Sequence, residues 1–271
     1  MTTDDSQYLP PLFRWAGSKR KLLSDLLACM PDKYNRYVEP FAGSACLFFA
    51  LRPSSAILGD LNRELVASYL TLRSHPILLC RAVSTMPQTK RFYYALRAKG
   101  ATGDPLLDAA RFVYLNRHCF NGVFRTNSRG EFNVPRGNKV GAMPAQQQFS
   151  RCSKALKSAE LVSGDFQLVV ARVEEGDFVY LDPPYAKVGA RRRGEYGRDS
   201  FDTCDLHRLS AAVEEIDRKG ATFLLSYADG PEISHMRTRW HSRTVSVRRH
   251  VAGFSCHRSF VDEVLISNYP I

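Results

Sequence analysis

Between residues 36 and 60 a short strand, a glycine turn, an apolar helix and a second strand follow one another, an order that leaves few folds open. Arg36 to Glu39 reads as a strand and Pro40-Phe41-Ala42-Gly43-Ser44 turns the chain. An apolar helix then runs to about Leu51, and Ala56 to Gly59 forms a second buried strand stopped by Asp60. Strand, crossover helix, strand is the unit that builds parallel sheets, because parallel neighbours cannot be joined by a tight hairpin. An α/β protein is predicted. Asn62 is a good N-cap for a helix over Arg63 to Ser74. Glu160 to Ser163, Phe178 to Leu181 and Thr222 to Tyr227 continue the strand series, with helices from Phe166 to Val173 and from Leu206 to Lys219. Thr244 to His250 and Phe260 to Ser267 read as an antiparallel pair that closes the sheet, and a helix near Lys19 to Met30 precedes it.

From about His75 to Gln148 the texture changes to helical periodicity, and the turn signals Asn121-Gly122 and Ser128-Arg129-Gly130 place a β-hairpin near residues 121 to 135. A helical, hairpin-bearing insert therefore interrupts the α/β unit. The 271 residues are ample for a real core. The longest apolar run, Ala42 to Leu51, falls short of the roughly 18 residues a membrane span needs. Asp4 and Asp5 sit where a signal peptide would be basic, so neither a membrane nor secretion is expected. Seven cysteines without a Cys-x-x-Cys read as reduced, mostly buried residues of a cytoplasmic protein, with no metal site.

The formal net charge is +11, and it is unevenly spread. Residues 81–151 hold 12 Lys/Arg against 3 Asp/Glu, residues 186–200 a net +3 and residues 237–258 a net +6, so the remainder is −7. Phe92, Tyr93, Tyr94, Phe112, Tyr114, Phe120, Phe124 and Phe132 interleave with the basic residues of the first segment. Cations neutralise phosphates while aromatic and amide groups meet bases, which favours a nucleic-acid surface. A basic subdomain with an ordinary aromatic core fits the same composition equally well.

Two motifs carry chemistry. Glu39-Pro40-Phe41-Ala42-Gly43-Ser44-Ala45 lies at the C-terminal end of a strand, where open α/β sheets bind ligands, and Gly43 lets main chain approach a bound molecule. Asp60, 17 residues after Gly43, is placed to accept hydrogen bonds from ribose hydroxyls. The full Gly-x-Gly-x-x-Gly is missing, which favours a small adenosine cofactor over a dinucleotide. In Asp182-Pro183-Pro184-Tyr185 two prolines hold the backbone extended and remove two N–H donors. The Asp182 carboxylate and the Pro183 carbonyl can then accept both hydrogens of an exocyclic amine, with the Tyr185 ring as a stacking face.

Four blocks, Phe13-Arg14-Trp15-Ala16-Gly17-Ser18-Lys19, Glu39 to Ser44, Tyr114-Leu115-Asn116-Arg117-His118 through Arg129 to Pro135, and Asp182 to Tyr185, resemble the Dam-like family of S-adenosylmethionine-dependent DNA adenine-N6 methyltransferases. The tail from Arg258 to Leu265, with Val261-Asp262-Glu263, is also similar, so the resemblance spans nearly the whole chain. It implies a Rossmann-like, mostly parallel sheet of the class I methyltransferase type. Residues 1–74 and 160–271 would form the catalytic domain and 75–159 a target-recognition insert.

By match to the family pattern, Trp15, Lys19, Phe41, Gly43, Asp60 and Asp182 would hold S-adenosyl-L-methionine, with Lys19 available to the cofactor's carboxylate and Asp182, Pro183 and Tyr185 carrying catalysis. Arg117, Phe120, Asn121, Val123, Arg125, Asn127 and Pro135 would meet double-stranded DNA, Arg125 reading a guanine through O6 and N7, while Arg117 and Arg129 fit a phosphate contact and a brace for the hairpin equally. Phe120 stands where many relatives carry Tyr, Cys119 where they often have Gly, and Gly137-Asn138-Lys139 is less basic than in close relatives. These departures bear on a GATC-like target rather than on the reaction. Arg191-Arg192-Arg193 reads either as a lid over DNA backbone or as a solvated loop. The family expectation is action as a monomer, nucleoid-associated in a prokaryotic cell. Rival readings are a cytosine-N4 methyltransferase, a glutamine methyltransferase, which usually carries Asn in place of Asp182, and a catalytically silent DNA-binding protein.

Overall fold

The computed structural model describes residues 8–127, 129–138, 140–186, 201–248 and 260–271. Strands β1 (Tyr37–Glu39), β2 (Ala56–Asp60), β3 (Ala159–Ser163), β4 (Phe178–Leu181), β5 (Thr222–Ala228), β6 (His241–Arg248) and β7 (Phe260–Ser267) form one sheet in the order β3-β2-β1-β4-β5-β7-β6. The first five are parallel, and β7 runs antiparallel to both β5 and β6. This is the predicted Rossmann-like α/β sheet with its closing antiparallel pair.

Alternation along the strands sends side chains to two cores. Phe178 and Tyr180 of β4 join one core with Tyr37, Leu58, Leu224 and Leu265, while Val179 and Leu181 join the other with Val38, Ile57, Leu225 and Ile266. The first core continues without a break into the helices that follow β2. Helix α3 (Arg63–Ser74), capped by the Asn62 side chain on Leu65 N–H, packs against α6 (Pro105–His118) and α7 (Gln146–Leu156). Helix α4 (Pro76–Ser84) packs on the same two, and α5 (Lys90–Ala98) reaches α6. On the opposite face α8 (Phe166–Val170) meets α9 (Thr203–Arg218).

Several elements differ from the sequence expectation. The N-terminal helix begins as a 3-10 turn over Lys19–Leu22 before α1 (Leu23–Ala28). α8 ends three residues early because Arg172 and Val173 donate to carbonyls only three residues back, tightening the last turn out of α geometry. The expected hairpin is reduced to two isolated antiparallel bridges, Cys119↔Arg136 and Thr126↔Phe132. Its tip lies at Asn127–Gly130, while Asn121 and Gly122 belong to a separate 3-10 turn, both with positive φ. Gly122 is required there, because a Cβ would stand 2.6 Å from that of Arg14. Helix α10 (Ser234–Arg239) was not anticipated, since only Met236 of its six residues is buried and no apolar periodicity marks it. A short α2 (Cys46–Leu51) follows the glycine turn as expected. No described helix is long and apolar enough to cross a membrane.

The aromatic residues of the basic segment are mostly core. Tyr93, Phe112, Tyr114 and Phe132 are buried, Phe92, Tyr94 and Phe124 half-buried, and only Phe120 is exposed. Their spacing reflects helix and bridge periodicity, which composition alone cannot separate from a base-stacking surface.

Candidate active site

Strand order creates the site. From β1 the chain moves outward through β2 and β3, then returns to β4 on the other side of β1. At such a reversal the loops leaving neighbouring strands diverge and open a crevice at their C-terminal ends. Glu39-Pro40 leaves β1 there, and Asp182-Pro183 leaves β4.

Asp182 is held from two sides. Lys19, buried at the start of its 3-10 turn, lies with Nζ 2.5 Å from Asp182 Oδ1 and 3.6 Å from Glu263 Oε2. The same ammonium donates to the Tyr185 hydroxyl at 3.4 Å and lies 5.3 Å from the centre of that ring. Ser226 Oγ donates to Asp182 Oδ1 at 3.1 Å and in turn accepts from Tyr180 Oη at 3.0 Å. Burial opposes the charge on Lys19, but Asp182, Tyr185 and Glu263 together outweigh it and raise its pKa. Burial likewise raises the Asp182 carboxyl, against the pull of Lys19 and Ser226. Tyr185 stands edge-on to Tyr227 at 5.1 Å, and the Tyr227 hydroxyl accepts from Ala186 N–H.

The glycine turn is braced in parallel. Asp60 Oδ2 accepts from Gly43 N–H and Oδ1 from Asn62 N–H, both at 2.8 Å, and Tyr69 Oη donates to Gly43 O. Burial raises the Asp60 carboxyl to about 6, with the Asn62 and Gly43 amides opposing. Gly43 has φ +47, and a Cβ there would stand 2.7 Å from Trp15 Cδ1, so the indole lies directly on the turn. Ser18 and Ser44 hydroxyls, 3.0 Å apart, join the same two segments. Phe41 stacks on Phe166 at 5.1 Å. Glu39, buried and receiving the Tyr37 hydroxyl at 2.9 Å, has its pKa raised by burial and by the nearby Asp182 and Asp60 charges.

A second cluster of predicted residues stands on the arm between α6 and α7. Phe120, Asn121, Arg125 and Pro135 are exposed, whereas Arg117, Val123 and Asn127 are partly buried. Arg125 Nε donates to Asn133 Oδ1, which orients the guanidinium. Asn127 spends its side chain on the tip, accepting from the Arg129 and Glu131 amides and donating to Glu131 Oε2. Arg191-Arg192-Arg193, Ser128, Lys139 and Cys256 lie outside the described residues. The arm is joined to the first site through Asn116, whose amide accepts from Arg14 N–H and donates to Arg14 O, and through Trp15, stacked on Phe124 at 6.0 Å.

Residues 15–251 match the family model described as D12 class N6 adenine-specific DNA methyltransferase. The chain belongs to that family. The D12 enzyme described here is 32% identical over 272 residues to a Type II methyltransferase, M1.LlaDCHI, of Lactococcus lactis subsp. cremoris, with 96% of each chain covered. It is also 31% identical over 268 residues to the DNA adenine methylase of Escherichia coli (strain K12), covering 95% of this chain and 94% of that one. A Type II methyltransferase of Methanocaldococcus jannaschii, M.MjaIII, matches at 31% over 80% of this chain and 83% of its own. This D12 chain is accordingly a DNA adenine-N6 methyltransferase acting on DNA, and its family implies S-adenosylmethionine as the methyl donor.

For this methyltransferase, sequence reading overlooked two residues of the floor, Ser226 and Glu263. Both lie within mainly apolar strands, on the alternation phase that also carries Tyr180 and Asp182.

Proposed function

We propose that this methyltransferase binds S-adenosylmethionine over the Gly43 turn and methylates N6 of an adenine flipped out of double-stranded DNA. What carries the reading is the convergence of Lys19, Asp182 and Tyr185 at the switch point, beside the braced glycine turn. The residues suit a cationic adenosine cofactor: Asp182 and Glu263 share the Lys19 ammonium, the buried carboxyls of Glu39 and Asp60 lie nearby, and Trp15 adds an aromatic face beside the turn. Phe41 packs the wall beyond it. When bound, the cofactor supplies an electrophilic methyl group.

The protein's part is positioning and electrostatics. Asp182 and the Pro183 carbonyl hold the two amine hydrogens and concentrate lone-pair density on N6, while Tyr185 stacks the base. As the new N–C bond forms, the nitrogen becomes acidic and releases one proton, so no strong general base is needed. Lys19, engaged by two carboxylates of the protein, serves chiefly to fix Asp182 rather than to meet the cofactor's carboxylate.

Residues 75–159 form the target-recognition part of this reading, with 1–74 and 160–271 catalytic. Arg125 reads a guanine, Phe120, Asn121, Val123 and Pro135 line the groove, Arg117 meets phosphate, and Asn127 shapes the tip. The target is GATC-like and the protein acts as a monomer. Incubating an unmethylated plasmid with the protein and digesting it for mass spectrometry should yield N6-methyladenine, and sequencing the modified positions gives the site. Methylcytosine in that digest would overturn the proposal.

A further inference from the structure

The edge pair β6–β7 looks remote from chemistry, a device that closes the sheet. One of its residues reaches the centre. Four adjacent strands, β1, β4, β5 and β7, each place a polar side chain on the same face near their active-site ends: Glu39, Asp182, Ser226 and Glu263. Glu263 lies opposite Ala228 at the end of β5 and is 2% exposed. A carboxylate so buried is costly unless paired, and among the described residues its ion-pair partner is Lys19.

We infer that Glu263 is a positioning residue for methyl transfer, sharing the Lys19 ammonium so that Asp182 keeps the negative charge with which it holds the target amine. This rests on the reading of Asp182 as the amine acceptor. Asp182 Oδ1 is taken up by Lys19 at 2.5 Å and Ser226 at 3.1 Å. Among the described residues, Asp182 Oδ2 receives no hydrogen bond, which leaves it to accept from an amine. With Lys19 held by Asp182 alone, one cation would cancel one anion and the acceptor would face the amine as half of a neutral pair. With Glu263 present the trio is net negative. That excess favours the positive charge that moves onto N6 as the methyl arrives.

The test compares Glu263→Gln, Glu263→Asp and Asp182→Ala in the full chain. It reads single-turnover formation of N6-methyladenine at saturating S-adenosylmethionine and target duplex, separate affinities for each, and Tm. Glu263→Gln keeps the shape and loses the charge; the expectation is a rate lower by about 10–100-fold, with both affinities within about twofold. Glu263→Asp should recover part of the rate. An unchanged rate in Glu263→Gln overturns the inference, as does a loss that tracks Tm and both affinities without recovery in Glu263→Asp, which marks a merely structural residue. Should Glu263→Gln not fold, Glu263→Asp carries the test, with a lower rate at unchanged affinities expected and an unchanged rate overturning it. Asp182→Ala separates the two levels: if it still makes N6-methyladenine the amine-acceptor reading falls and this inference with it, whereas a dead Asp182→Ala beside a fully active Glu263→Gln removes Glu263 alone.

Discussion

Lys19 and Arg117 are both cations taken largely out of water, and their surroundings could hardly differ more. Lys19 sits 2.5 Å from one carboxylate and 3.6 Å from another. The Arg117 side chain meets no hydrogen-bond acceptor among the described residues, its Nε is buried without a partner, and the like charge of Arg14 outweighs the opposing influence of Cys152. Burial, then Arg14, lowers its pKa to about 10. The Asp182 site carries its counter-ion within the protein, two carboxylates sharing the Lys19 ammonium before any substrate arrives. The arm gives Arg117 no such counter-ion among the described residues. Under the proposed function, one half carries its own counter-charge and DNA phosphate supplies the other's.

The largest effect should come from breaking the floor. Asp182→Ala removes the amine acceptor and leaves Lys19 to Glu263 and the Tyr185 hydroxyl, so kcat should fall by about a thousandfold or more, with DNA affinity nearly intact. A gel-shift titration alongside the methylation assay checks both halves. Retained turnover would mean that the two halves divide the work differently from the proposal.

Arg125→Ala attacks the arm instead. A bidentate arginine–guanine contact is worth about 1–3 kcal/mol of discrimination, so specificity should relax at one base pair while kcat on a pre-bound duplex stays. Competition between the target and single-substitution duplexes reads this directly, and uniform weakening across all sequences would reassign Arg125 to phosphate.

The same contrast explains what could be read from the chain. Strands and glycine turn are visible because β1, β2, β4 and β5 are buried on both faces and write largely apolar runs, and Asn62 starts its helix by local chemistry. Asp182-Pro183-Pro184-Tyr185 announces itself because two prolines have little place inside a sheet. Pairings across distant segments are invisible in one dimension. Nothing near Lys19 indicates that Glu263, 244 positions away, shares its proton field, and nothing near Arg14 marks Asn116 as its clamp. Aromatic residues mislead for a related reason: Phe112 and Tyr114 keep the same helical spacing whether they stack on bases or, as they do, pack edge-on against Phe13 and Phe92.

Asp60 belongs to the floor but titrates within reach of ordinary buffers. Its carboxyl ionises at about 6 in the folded chain against 3.8 as the reference. A raised acid favours the folded state while protonated, so this contribution to stability is full below about pH 4 and lost as pH rises through about 6. Under the proposed reading of Asp60 as acceptor for the cofactor's ribose hydroxyls, cofactor affinity should run the other way, because the ionised carboxylate accepts the stronger hydrogen bond. Binding of S-adenosylmethionine, measured calorimetrically from pH 5 to 8, should therefore weaken below about 6, and Asp60→Asn should flatten that dependence at a cost of about tenfold in affinity. A pH profile identical in the two proteins would take Asp60 out of cofactor binding.

The smallest effect is also the most diagnostic for the arm. A base whose folded pKa is depressed stabilises only above its unfolded value, and that stability is lost as pH falls through about 10, so at neutral pH the Arg117 charge is a net burden on the fold. Arg117→Gln keeps most of the length and removes the burden. Tm should rise slightly while DNA affinity falls a few-fold and the slope of log affinity against log salt becomes shallower by about one phosphate's worth. Stability and binding moving in opposite directions is what an unfinished anion site requires. A fall in Tm with an unchanged salt slope would show instead that Arg117 braces the arm and meets no phosphate.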